Sequence, residues 1–447
     1  MKFGKKTIAL IGAVAMLSSV AACGSTSAGD SGSTGSSDKK IELTVWSWDS
    51  TLPRTVKGFE AKNPNIKVKV TNAGTNKDEY NALSNAIEAG SGAPDIAQIE
   101  YYALPEYVIR GHLENLSDLG ASDFKDFYTP GTWSSVSIND GVYALPMDSG
   151  PMAWFYNKDV FDKAGVDPTQ VRTWDDFYEA AKKIRAVDSY ITSDSGDAGF
   201  FDSMTWLAGA KPFQTSSDGS EVTVNLTEDK GVKTFTDFWQ KLLDEGLLDT
   251  KTAGWSEDWF KGMVDGTIAS LFTGAWMPAN LANSAADGAG KWRVAQMPTA
   301  DGSTTNSENG GSSLAVLAST KKADAAYQFI EYANHGAGVA TRVAGGAFPA
   351  DKASLEKDSF KNATTVKNAD GQDVDYFGGQ KYNEVLAQAA ENVSSGYQFL
   401  PFEVKARTIF GDYFGKSYTG EQKLSDGVAA WHKALQDYGK DQGFTVK

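Results

Sequence analysis

The sequence predicts an α/β fold in which a mostly parallel sheet, helices on both faces, is built over more than one domain. Three observations carry this. From Ile41 onward strand-like and helix-like stretches alternate in the order βαβαβ, the pattern of a parallel sheet with crossover helices. The stretch from about 41 to 447 exceeds one typical domain of roughly 100 to 200 residues. The only cysteine, Cys23, precedes that body, so no disulfide scaffold, thiolate metal site or thiol nucleophile is available to it.

Ahead of the body stand Lys2, Lys5 and Lys6, then an apolar run from Ile8 to Val20, the charged-then-apolar layout of a secretory leader. The run is too short to span a bilayer as a helix. Val20-Ala21-Ala22-Cys23 resembles the lipobox of bacterial lipoproteins, which implies a signal peptide over 1–22 and acylation of Cys23. Acyl chains tether through about 0.8 kcal/mol per buried methylene. Residues 23–40, nearly all Gly, Ser, Thr, Ala and Asp after the cysteine, read as a flexible spacer. Within it Gly29-Asp30-Ser31-Gly32 matches the string around a serine-protease nucleophile, but a spacer supplies neither base nor oxyanion donors.

In the body, Ile41 to Trp46 alternates as a strand, and Thr51 to Lys62 has helical spacing through Leu52, Val56 and Phe59, stopped by Pro64. A second strand, Ile66 to Val70, precedes a helix from Asp78 to Ala89; Gly90 to Pro94 ends it before a third strand, Asp95 to Ile99. Ligands in such sheets collect at the carboxyl ends of the strands. A second unit begins near Val142, where Thr173-Trp174-Asp175-Asp176 reads as an N-cap with an acidic first turn opening a helix to about Val187. Further helices are expected at Gly231–Leu243, Asp324–Ala333, Lys381–Asn392, Phe402–Phe410 and Ser425–Tyr438. Strands are expected at Thr267–Phe272, Trp292–Gln296 and Leu314–Leu317.

Several strings stand in a fixed order: Thr44-Val45-Trp46; Ala93-Pro94-Asp95-Ile96; Tyr143-Ala144-Leu145-Pro146 with Tyr156-Asn157-Lys158-Asp159-Val160-Phe161; Thr173-Trp174-Asp175-Asp176-Phe177; Gly266-Thr267-Ile268-Ala269 leading to Thr273-Gly274-Ala275-Trp276; and Gly310-Gly311-Ser312-Ser313-Leu314. Together they resemble the family 1 extracellular solute-binding proteins, the sugar receptors of ABC importers. That resemblance implies a two-lobed, periplasmic-binding-protein-like fold with crossover hinge strands and a ligand cleft between the lobes. It implies crossovers near 146–151, 309–313 and 334–338. One lobe is then about 41–147 plus 310–334, and the other about 148–309 plus 335–447. It further implies an oligosaccharide ligand of two to several units, permease subunits of an ABC transporter as partners, and a monomer tethered outside the cytoplasmic membrane by Cys23.

A pyranose offers flat C–H faces and a rim of hydroxyls, so a sugar site wants aromatic platforms and planar hydrogen-bonding groups. Trp48, Asp49 and Ser50 follow the first strand, Lys77 the second, and Glu100 and Tyr101 the third. Trp276 follows the Thr273-Gly274 turn, and the resemblance makes it the principal stacking ring. Asp148, Asn309, Gly310 and Gly311 lie on expected crossovers, while Phe201, Asp202 and Phe402 are candidates for the second lobe's wall. Trp46 reads as core, and Trp206 fits either core or cleft.

Other chemistries find less support. A net charge of −15, three units more negative without Lys2, Lys5 and Lys6, argues against nucleic acid and anionic lipid surfaces. Glu100 and Asp148 could be cast as the carboxylate pair of a glycoside hydrolase, but nothing in the sequence sets them on opposite faces of a sugar. His112, His335 and His432 lack ligand spacing, and no metal or cofactor is expected. Asn368 to Asp373 resembles a calcium loop without its closing Glu and reads as a turn. A peptide ligand in place of a sugar stays open.

Overall fold

The structure is a computed structural model that describes residues 40–447. The leader, Cys23 and the spacer up to residue 39 lie outside the described residues.

The first lobe is built on a five-stranded sheet in the spatial order Ile66–Thr71, Ile41–Trp46, Ile96–Glu100, Ser312–Val316, Leu145–Pro146. Strand Ile41–Trp46 is an interior strand beside the central Ile96–Glu100, and its alternation turns Leu43 and Val45 wholly inward. Its two neighbours run parallel to it, in registers that pair Ile41 with Ile66 and Val45 with Ile96. Helix Leu52–Lys62, with Pro53 in its first turn, buries Leu52, Val56 and Phe59. Helix Lys77–Glu88 buries Tyr80 and Leu83. The expectation of a mostly parallel sheet holds for this lobe: Leu145–Pro146 runs in the same direction as these three strands, and only Ser312–Val316, where the chain returns from the other lobe, runs against them.

The second lobe departs further from a parallel sheet. Met152–Asn157 is flanked by Ser270–Gly274 and Trp292–Ala295, all antiparallel. Helix Trp174–Arg185 opens with the expected cap: Thr173 Oγ1 accepts from the Asp176 amide at 3.0 Å and Asp176 Oδ2 from the Thr173 amide at 2.9 Å. Helices Lys230–Asp244, Glu403–Tyr418 and Leu424–Asp441 join it around an aromatic core that holds Trp154, Trp239 and Trp431. A neighbouring core gathers Trp292, Tyr376 and Phe377. Asn368 to Gln372 is the turn of a hairpin joining Val366–Lys367 and Asp373–Val374.

Three segments link the lobes. The first, past Met147, and the second, through Glu308, lie side by side, bridged at Pro151 and Glu308. The third differs from the expected 334–338. Helix Gly338–Ala344 lies against Leu52–Lys62, close enough that a Cβ on Gly338 would come within 2.8 Å of Thr55 Cγ2. Ala350 still belongs to the first lobe's core while Phe348 and Leu355 pack in the second lobe's, so the chain changes lobes over 348–355. The lobes also touch opposite these segments. Phe399 and Val404 pack on the first lobe's core, and Gly219 sits against Ile109. No helix among the described residues is long and apolar enough to cross a membrane.

Candidate functional site

The two side-by-side crossovers deliver backbone to the junction of the lobes. Gly311, at φ +91°, stands where a side chain would strike Tyr101: a Cβ would lie 2.6 Å from Cε2. Tyr101 is fixed there by its hydroxyl, which donates to the Asp148 carbonyl at 2.6 Å. The Asp148 carboxylate in turn accepts from the Ser312 amide at 2.5 Å and from Ser312 Oγ at 3.0 Å. Glu308 Oε1 accepts from Ser149 at 2.8 Å, leaving buried Oε2 without a partner. Burial, reinforced by Asp148, pushes the Glu308 carboxyl up to about 8.

Trp276 opens helix Met277–Ser284, and its indole donates to the Asn309 carbonyl at 2.7 Å, tying the ring to the second crossover. The ring lines a cavity of about 430 Å³ between the second lobe and the first lobe's helix Gly338–Ala344, walled also by Val343, Phe348 and Tyr382. That volume lies in the range of small-molecule sites. Against Trp276 stacks Trp255, with centroids 5.6 Å apart and planes at 26°. At 55 % exposure Trp255 is the exposed large hydrophobic residue among those described, and it holds φ +67°.

On the other side of the crossovers a small void is lined by Tyr101, Tyr102, Trp206, Glu308, Phe399 and Arg407. Arg407 pairs with Asp202 at 2.8 Å and approaches Glu403 at 3.6 Å. Burial opposes its charge, but Asp202 and Glu403 outweigh that and leave the guanidinium firmly protonated. Burial raises both of those carboxyls, and Arg407 pulls each back. Glu100 accepts from the Tyr80 hydroxyl at 3.1 Å; burial raises it to about 7 against the pull of Arg407.

Of the residues named from the sequence, Tyr101, Glu100, Asp148, Asn309, Gly310, Gly311, Asp202 and Trp276 converge on this junction. Trp48 is half-buried beside them, its amide bonded to Gln98 at 3.2 Å. Asp49 is committed to Arg342 at 3.0 Å and to Thr51 Oγ1 at 2.6 Å. Ser50 and Lys77 are exposed. Phe201 and Phe402 are corrections. Each is 1 % exposed: Phe201 is packed among Phe235, Phe410, Phe414 and Trp431, and Phe402 against Tyr438 and Phe444, so neither ring is offered to a ligand. Sequence reasoning missed Trp255, Glu308, Arg342 and Arg407. One signal was present: Glu403 and Arg407 stand one helical turn apart in line with Phe410 and Phe414, which puts charge on an apolar stripe.

The arrangement offers aromatic faces, carboxylates and a guanidinium around the meeting of two lobes, which suits a neutral, hydroxyl-rich ligand. No group of side chains among the described residues has the makings of a metal site. The profile of the family described as bacterial extracellular solute-binding protein matches residues 46–334. A lactose-binding protein of Rhizobium radiobacter is 27 % identical over 304 residues, covering 65 % of this chain and 69 % of that one. An arabinooligosaccharide-binding protein of Bacillus subtilis is 26 % identical over 302 residues, with the same coverage. Among solved structures, the ABC-transporter-associated binding protein of B. animalis subsp. lactis in complex with β-1,6-galactobiose aligns at 69 % identity with a TM-score of 0.82, covering 91 % of this chain and 99 % of that one. The galacto-N-biose/lacto-N-biose I-binding protein of Bifidobacterium longum aligns at 27 % identity with a TM-score of 0.78, covering 92 % and 99 %.

Proposed function

The chain belongs to the bacterial extracellular solute-binding protein family, and from that premise we propose that it is the extracytoplasmic receptor of a carbohydrate ABC importer, taking a short galactose-containing oligosaccharide. The observation that carries the ligand class is the 69 % identity, over 91 % of the chain, to a receptor solved with β-1,6-galactobiose. The junction supports it with the Trp276 platform beside a 430 Å³ cavity and with the carboxylates and guanidinium gathered at the meeting of the lobes. Calorimetric titration with β-1,6-galactobiose, lactose, maltose and an arabino-oligosaccharide tests it. Saturable binding of galactobiose, at least tenfold tighter than of maltose, is expected; no heat with either galactoside overturns the reading.

In this reading the protein holds its ligand and releases it unchanged. Asp148 accepts from Ser312 and Glu100 from the Tyr80 hydroxyl, contacts that serve to position each carboxylate within the fold. Galactobiose recovered intact by chromatography after overnight incubation with stoichiometric protein supports this; shorter products that vanish in Glu100→Gln or Asp148→Asn refute it. The body works as a monomer tethered through acylated Cys23, and Cys23→Ser releases it from the membrane fraction without altering its melting temperature. The first lobe is taken as about 41–147 with 312–350, and the second as the remainder of the body.

A further inference from the structure

The guanidinium of Arg407 belongs to the second lobe by descent and touches the first by contact. Its helix, Glu403–Tyr418, contributes Ala406, Phe410 and Phe414 to the second lobe's core. Its two carboxylate partners are also second-lobe residues: Asp202 on helix Ala198–Leu207, at 2.8 Å, and Glu403 one turn earlier on its own helix, at 3.6 Å. Those partners fix the fork in place whatever the first lobe does. Yet its central carbon stands 3.7 Å from the ring centroid of Tyr102, a residue of the first lobe's core that is 7 % exposed. Glu100, also in the first lobe, feels the same positive charge.

We propose that Arg407 is the closure latch of this receptor: a second-lobe cation, preset by Asp202 and Glu403, that holds the first lobe by seating on the face of Tyr102. The proposal rests on the reading of the chain as a two-lobed receptor and adds what keeps the lobes shut. A desolvated guanidinium over an aromatic face is attracted by the ring quadrupole, most strongly where water is excluded. Opening the lobes carries Tyr102 away with its core while Arg407 keeps its carboxylates, so the whole of this attraction belongs to the closed form. A contact made in one of two states biases the equilibrium by its full strength. Apolar contacts between the lobes, such as Phe399 edge-on to Tyr102 at 6.5 Å, Val404 on the first lobe's core and Ile109 against Gly219, carry no comparable directionality.

Because removing the guanidinium strands two buried carboxylates, the ring is the side to change. The test uses the full chain with Cys23→Ser, which removes its one cysteine, and spin labels on cysteines introduced at exposed Lys57 and Lys251, one in each lobe. Inter-label distances are measured with and without β-1,6-galactobiose, and dissociation rates are taken from stopped flow. Tyr102→Phe keeps the face but loses the hydroxyl's bond to Glu100, and is expected to stay much nearer the parent in closure and release than Tyr102→Leu does. Tyr102→Leu is expected to shift the distance distribution toward the open form and to raise the dissociation rate about tenfold, the size a buried cation–π contact implies. Arg407→Lys, a point charge without the flat fork, is expected to fall between them. A Tyr102→Leu protein that closes and releases like the parent overturns the latch. If galactobiose does not bind the parent, the ligand assignment fails instead, and the latch is decided by the ligand-free distances, where Tyr102→Leu must still favour the open form.

Discussion

Replacing Gly150 by Ala tests how closely the first two crossovers must run. The Asn309 amide donates to the Gly150 carbonyl at 2.7 Å, and a Cβ on Gly150 would lie 2.3 Å from the Asn309 oxygen and 3.1 Å from the Gly310 carbonyl carbon. Backbone cannot swing aside as a long side chain can, so the strands must part by about 1 Å to reach ordinary contact. Gly150 is not in the left-handed region, which leaves space as the only issue. Overpacking of this kind costs about 1 to 3 kcal/mol. Weakening the Asn309-to-Gly150 bond and the Trp276-to-Asn309 bond adds up to about 1 kcal/mol each. A loss of about 1 to 5 kcal/mol follows, or roughly 3 to 15 °C in melting temperature for lobes of this size. Differential scanning fluorimetry reads the first effect and calorimetry with galactobiose the second, since Trp276 loses its anchor. Gly254→Ala serves as the control, because nothing lies within 4 Å of its added Cβ. A Gly150→Ala protein that melts within 1 °C of the parent and binds with unchanged affinity would refute the reasoning.

Two further outcomes are expected. Trp276→Ala should weaken galactobiose binding by about 2 to 4 kcal/mol, as truncation of a central aromatic anchor does, with a smaller change in ligand-free melting temperature; calorimetric affinity within twofold of the parent would place the ring outside the site. Glu308 keeps in the fold, up to about pH 8, a proton that the unfolded chain gives up near its ordinary 4.5, so stability falls as pH rises between those values. Glu308→Gln should therefore flatten part of the decline in melting temperature from pH 5 to 8, leaving the residual slope of Glu79, Glu100, Asp148, Asp194, Asp202 and Glu403, which burial raises likewise; a parallel decline in both proteins would dismiss Glu308 as a source.

The first lobe was largely legible because its elements announce themselves locally. Alternation in Ile41–Trp46 and helical spacing in Leu52–Lys62 each follow from a few adjacent residues, as does the Thr173 cap in the second lobe. The third crossover was not, since the run Asn334 to Gly338 looks like a break between lobes. It is instead a turn between two helices of one lobe, held by the Tyr128 hydroxyl on the Asn334 carbonyl and by the Asn334 amide on the Leu145 carbonyl. Those bonds join distant parts of the chain and leave no local trace. The misplacement of Phe201 has a different cause. Helix Ala198–Leu207 is buried on nearly every side, so its spacing cannot tell the face that lines a site from the face that fills a core. Arg407 escaped because its importance comes from Asp202 and Tyr102, each far from it in sequence.

The seating of Ser312–Val316 between Ile96–Glu100 and Leu145–Pro146 sets a timetable for folding after export. Gln98 and Ser312, 214 positions apart, are hydrogen-bonded across the sheet. Until residue 312 and its neighbours have arrived, the strand Ile96–Glu100 keeps a bare edge of unpaired amides and carbonyls, the kind of edge that recruits strands from other chains. Closing so long a loop is slow, and the second lobe's antiparallel sheet is encoded almost wholly within the intervening segment. The second lobe is thus able to begin organising while the first waits for its missing strand. The same threading that lets the crossovers meet at one point makes the N-terminal third of the body the part most in need of protection as the protein emerges.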